Sequence, residues 1–99
     1  MFARLLRIKT KIERIDEASK LFEENVIPLC KDKKGYKGAY FLADRKTGNS
    51  MLVTLWESEE DMLATERSRF FQEQVVKFLS FYKSSPIREA YEVVFKDLL

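Results

Sequence analysis

Residues 2 to 9, Phe-Ala-Arg-Leu-Leu-Arg-Ile-Lys, form an apolar segment of strand length without a helical stripe, and predict a first strand. From Ile12 the period changes. Ile15, Ala18, Phe22, Val26 and Leu29 recur at three- and four-residue steps with Glu, Asp and Lys between them, the pattern of an amphipathic helix. Pro28 falls near the end of that pattern, where its missing donor and its ring, opposed to the carbonyl of Glu24, predict a kink or an early stop. Lys31-Asp32-Lys33-Lys34-Gly35 then supplies basic residues suited to a helix C-terminus and a glycine to leave it.

Gly38 to Asp44 reads as a second strand, and Arg45-Lys46-Thr47-Gly48-Asn49 as the polar connection of a hairpin. The returning strand, Met51 to Trp56, is apolar at odd and even positions alike, so both of its faces should be covered. Ser58 stands three residues before Asp61, a capping arrangement that opens a second helix. Along it Phe71, Val75, Phe78, Leu79 and Tyr82 share one face, while Ser68-Arg69 interrupts the stripe begun by Met62 and Leu63 and predicts a bend or break. Ser84-Ser85-Pro86 ends the helix, and Glu89 to Phe95 has the composition of a last strand.

The order βαββαβ predicts one α+β domain over residues 1–99. It is the ferredoxin-like split βαβ, a four-stranded antiparallel sheet with two helices on one face. The other face of such a sheet is bare, and a third strand apolar on both sides would leave several hundred Å² of apolar surface in water. The simplest cover is the same face of a second copy, which predicts a homodimer.

Composition removes several classes of function. Hydrophobic residues make up 45% of the 99 and charged residues 34%, with no apolar run near the roughly 20 residues that span a bilayer, so a soluble globule and no membrane partner are expected. The formal charge of +2 comes from interspersed signs, which gives no footprint for nucleic acid. A single cysteine, Cys30, and an N-terminus without a secretion signal point to the cytoplasm. There is no histidine, and neither glycine-rich nucleotide motifs nor CxxC spacings occur. No metal, haem or flavin cofactor is therefore expected, and catalysis would fall to carboxylates, Tyr, Lys, Arg or the substrate's own acidity.

Gly35-Tyr36-Lys37-Gly38, Thr47-Gly48, Thr54-Leu55-Trp56-Glu57-Ser58-Glu59-Glu60, Ala64-Thr65-Glu66 and Tyr91-Glu92-Val93 together resemble the antibiotic biosynthesis monooxygenase family of dimeric α/β barrels. The resemblance spans nearly the whole chain, and its motifs are short and mostly structural. It implies a homodimer of two ferredoxin-like sheets packed face to face, with a ligand cavity in each subunit between sheet and helices. Some members of that family oxygenate polycyclic aromatic phenols with molecular oxygen and no cofactor, others degrade haem, and many have no known activity. The haem-degrading branch uses a histidine and a tryptophan on the second helix and an asparagine on the first strand, none of which this chain has at those places. Anthrone-oxidising members place an asparagine on the tryptophan's face of the third strand, where this chain carries Thr54 and Leu52.

The residues that could carry chemistry follow. Trp56 is a core residue or an aromatic wall for a flat ligand, two roles that can coexist. Tyr40, Tyr91 and Arg4 are polar groups on strands expected to be covered, where each either addresses a ligand oxygen or bonds across a dimer interface. Glu66 and Arg67, near the expected helix break, would serve as base and oxyanion partner if they turned toward the cavity; otherwise they are solvated helix charges. Cys30 reads as a small core residue, and Phe70 and Phe81 as a cover over the cavity or part of a wide apolar face. The leading expectation is a small homodimer that binds a flat apolar or aromatic ligand, with cofactor-independent oxygenation of a phenol or anthrone as its named activity. The alternative is a noncatalytic ligand-binding or interaction module of the same fold.

Overall fold

The structure, a computed structural model, describes residues 1–99. Four strands form one antiparallel sheet: β1 (Phe2–Lys9), β2 (Tyr36–Ala43), β3 (Asn49–Trp56) and β4 (Ile87–Glu92), in the spatial order β2-β3-β1-β4. The first helical segment runs from a 3₁₀ turn at Ile12–Arg14 through α1 (Ile15–Leu21) and a π-helical stretch, Phe22–Val26, to α2 (Ile27–Cys30). The second comprises α3 (Glu59–Arg67), α4 (Phe70–Val75) and a 3₁₀ stretch, Val76–Phe81. This is the ferredoxin-like α+β fold. Leu6, Ile8 and Leu52 of the sheet meet Ala18, Phe22, Val26, Cys30, Phe78 and Phe81 of the helical layer in one buried core.

Departures from regular geometry set which residues face inward. Pro28 lacks the donor its turn needs, and the chain widens into the π-helical stretch just before it and continues to Cys30 instead of stopping. The wider turn holds one residue more, so the inward stripe shifts by one position after Val26. Leu29, expected inside, is 44% exposed, and Cys30 is buried in its place. The second segment shows the same effect. Its 3₁₀ stretch repeats every three residues, so Phe78 and Phe81 point inward together and Leu79, expected on that face, stands in solvent.

Ser58 caps α3, its Oγ accepting from the Asp61 amide at 3.1 Å. The break near Ser68 is present: Arg69 adopts a left-handed conformation with φ 67° and separates α3 from α4. β4 begins and ends earlier than its composition suggests. It pairs with β1 from Ile87 to Glu92, and the Val93 amide makes the last bond along that edge, donating to the Met1 carbonyl at 2.8 Å.

A bulge in β2 decides the orientation of its side chains. Tyr36 lies opposite Trp56, but Gly38, not Lys37, lies opposite Leu55. The extra residue reverses the alternation, which turns Ala39 and Phe41 toward the helices and leaves Tyr40 and Leu42 half-exposed on the far face.

Candidate functional site

Between the sheet and the second helical segment lies a cavity of about 50 Å³. Its floor is the helix-facing side of β1 and β3, namely Arg4, Leu6, Leu52, Thr54 and Trp56. Phe22, Val26 and Cys30 form one wall. Thr65 of α3 and Phe70, Phe71, Gln74 and Val75 of α4, with Phe78 beyond, close the other. The left-handed turn at Arg69 brings Phe70 and Phe71 over the space, and cations hold both rings. Lys33 Nζ sits 4.4 Å from the centre of Phe70, and the guanidinium carbons of Arg4 and Arg88 sit 5.6 and 5.9 Å from that of Phe71.

Trp56 is 2% exposed. Its Nε1 donates to Thr54 Oγ1 at 2.9 Å and Tyr36 meets it edge-on, which locks the indole as a wall whose polar atom is already used. Arg4 is the charged group of the floor and only 7% exposed. One of its terminal nitrogens donates to Glu66 Oε2, the other to the Glu89 carbonyl at 3.3 Å, and its Nε has no partner. The second oxygen of Glu66 receives Arg88 Nη1 at 2.9 Å, so both oxygens of this carboxylate are engaged by guanidiniums. Gln74, 8% exposed, lines the cavity with its Oε1 buried and unpartnered. Burial against apolar neighbours pushes the Cys30 thiol up to about 11, which leaves it protonated and a poor nucleophile.

Of the residues singled out in the sequence, Trp56 and Arg4 line the cavity and Glu66 buttresses Arg4 from α3. Arg67 does not join them; it is exposed and paired with Glu60. Tyr40 and Tyr91 stand on the opposite face of the sheet, half-exposed. There Tyr91 donates to Glu89 Oε2 at 2.8 Å while Arg7 bonds the other oxygen. Those two bonds, the tyrosine's first, hold the Glu89 carboxyl below its usual range, and the same carboxylate raises the Tyr91 phenol. Phe70 covers the cavity and Phe81 belongs to the core. Gln74 and Arg88 were not singled out. The signal for Gln74 was a polar residue set between Phe71, Val75 and Phe78 on an apolar stripe; Arg88 gave none, since its partner is 22 positions away on another element.

The family model for antibiotic biosynthesis monooxygenase matches residues 1–85, and the chain belongs to that family. No curated protein matches the sequence. Among solved structures, a monooxygenase from the gene ActVA-Orf6 of Streptomyces coelicolor, in complex with nanaomycin D, is 16% identical; the match covers 99% of this chain and 91% of that one with a TM-score of 0.74. The haem-degrader MhuD of Mycobacterium tuberculosis, with two haems in its active site, is 17% identical over 98% of this chain and 99% of that one, with a TM-score of 0.72. A conserved protein of Methanosarcina mazei is 15% identical, covering 92% and 91%, with a TM-score of 0.71. At these identities the likeness is one of fold.

The cavity does not fit a haem. The side chains lining it include no histidine, methionine or tyrosine to serve as an axial ligand, and Cys30, the one sulfur there, is packed in the apolar core.

Proposed function

We propose that the cavity between sheet and helices binds a flat apolar or aromatic ligand, and that the protein is a cofactor-independent monooxygenase of phenolic or anthrone-like compounds. The observation that supports this most is an apolar space walled by a fixed indole, with one buried guanidinium at its floor. At about 50 Å³ it has room for only a few waters, so a tricyclic ligand enters by displacing Phe70 and Phe71, which ride on the short α4 beyond the left-handed turn. In the dry site the ligand's anion gives an electron to O₂. The two radicals combine to a carbon-bound peroxide anion, which takes back from water the proton lost on ionisation, and loss of water from the hydroperoxide leaves a carbonyl. One oxygen atom stays on carbon and the other leaves as water, so no further reductant is needed. The chain's part is to exclude water, fix the ring against Trp56 and hold the anionic oxygen near Arg4.

The test is oxygen uptake with a panel of hydroxylated anthrones, corrected for the uncatalysed rate and without added metal, flavin or reductant. Uptake matched mole for mole by the quinone is expected. It should fall about ten-fold or more in Trp56→Phe while the circular dichroism spectrum is unchanged. Absence of uptake with every member would favour the second reading, a noncatalytic ligand-binding module. A specific observation supports that reading: both oxygens of Glu66 are already held by Arg4 and Arg88, and burial keeps the Cys30 thiol protonated.

The far face of the sheet carries Tyr40, Leu42, Met51, Val53, Leu55, Ile87 and Tyr91. We infer that a second copy covers it, since a mostly apolar face, interrupted by the Arg7–Glu89 pair, can meet its own copy about a two-fold axis.

A further inference from the structure

Two buried polar atoms at the cavity have no partner, the Nε of Arg4 and the Oε1 of Gln74. Leaving a buried N–H donor unpaired is costly, and a ligand that accepts from it relieves that cost. The charges around them do not balance either. Arg4 and Arg88 share the single carboxylate of Glu66, and Glu89, whose carbonyl meets Arg4, directs its own carboxylate to Arg7 on the opposite face. One positive charge is left over. Arg88 is half-exposed and water can solvate it, whereas Arg4 cannot be reached in that way.

We propose that the cavity selects monoanions with a flat apolar body, the anionic oxygen accepting from Arg4 Nε and a hydroxyl beside it donating to Gln74 Oε1. This rests on the ligand-binding reading above and narrows its substrate class. The ligand arrives already ionised, because no side chain lining the space is available as a base. Arg88 makes the exchange possible: Glu66 keeps a guanidinium partner when the ligand competes for Arg4. Ionised acidic phenols and aromatic carboxylates share this chemistry, and Gln74 separates ligands with an adjacent hydroxyl from those without one.

Calorimetric titration of the whole protein with four probes tests the proposal: 1-naphthoate, its neutral analogue 1-naphthamide, 1-hydroxy-2-naphthoate, and 2,4-dinitro-1-naphthol, which is ionised at neutral pH. The anions should bind roughly 10- to 100-fold tighter than the amide. Whichever of 1-naphthoate and the dinitronaphthol binds tighter identifies carboxylate or phenolate as the preferred anion. Arg4→Met should erase the preference by weakening the anions far more than the amide, and Arg4→Lys should restore part of it. Gln74→Leu should weaken only 1-hydroxy-2-naphthoate. Binding of the amide as tightly as the anions, or a preference that survives in Arg4→Met, overturns the proposal but leaves the cavity a ligand site. Failure of all four probes to bind overturns both.

Discussion

At the scale of single residues, the clearest effects come from buried polar atoms that depend on a single partner. Trp56 Nε1 relies on Thr54 Oγ1. Thr54→Val keeps the volume but leaves a buried indole donor unpaired, and should lower stability by about 1–3 kcal/mol in urea titration. Trp56→Ala, which empties the cavity wall, should cost about 3–5 kcal/mol. Cys30 gives a pH-dependent outcome whose sign follows from its burial. Unfolded, the thiol ionises near its ordinary value of 9.0; folded, it does so near 11. Between those values the unfolded chain has lost a proton that the native one keeps. The stabilisation is therefore complete below about pH 9 and is lost as pH rises toward 11. Burial drives Tyr82 the same way, to about 12, so the slope should persist in reduced form in Cys30→Ala. Urea midpoints across that window measure it, and equal slopes in the two proteins would show that Cys30 is not buried in solution.

At the scale of elements, the breaks do as much as the helices. The left-handed Arg69 is an exposed non-glycine residue in a conformation that costs about 1–2 kcal/mol, and it ends α3 so that α4 can swing Phe70 and Phe71 over the cavity. Arg69→Gly should raise stability by about 0.5–1 kcal/mol, read as a higher melting temperature, with the fold unchanged. Ser58→Ala removes the cap of α3 and should cost about 1 kcal/mol. Gly35 leaves the first helical segment with φ 83°, and a Cβ there would run into Asp61 in the first turn of α3. Gly35→Ala should therefore be more damaging than the loss of the Ser58 cap, although the two changes address the same helix start.

At the scale of the whole molecule, the sheet has two apolar faces and the helices cover one. Sedimentation equilibrium at micromolar concentration should show a dimer, and a monomer there would refute the covered face. Tyr40→Glu places a charge on a residue half-exposed in the protomer, so it should dissociate the dimer and leave the protomer folded. Val53→Asp is a harsher change, because Val53 is already buried by its own sheet, and it should lower stability by several kcal/mol as well. No helix of the protein is long and apolar enough to cross a membrane.

Local sequence determined the order of elements, the hairpin, the cap at Ser58 and the break at Ser68. Each depends on residues within one turn of one another, and hydrophobic period and turn chemistry report such neighbours directly. The family was legible for the same reason, through short structural motifs in the right order. The tertiary structure alone decided which residues meet. A one-residue bulge at Lys37 sent Tyr40 to the far face, and a π-helical turn ahead of Pro28 exchanged Leu29 for Cys30 in the core. The union of Arg4, Glu66 and Arg88 needs β1, α3 and β4 at once. A shift of one residue in a strand reverses every side chain after it, and an ion pair has no period along the chain, so neither is written in any local pattern.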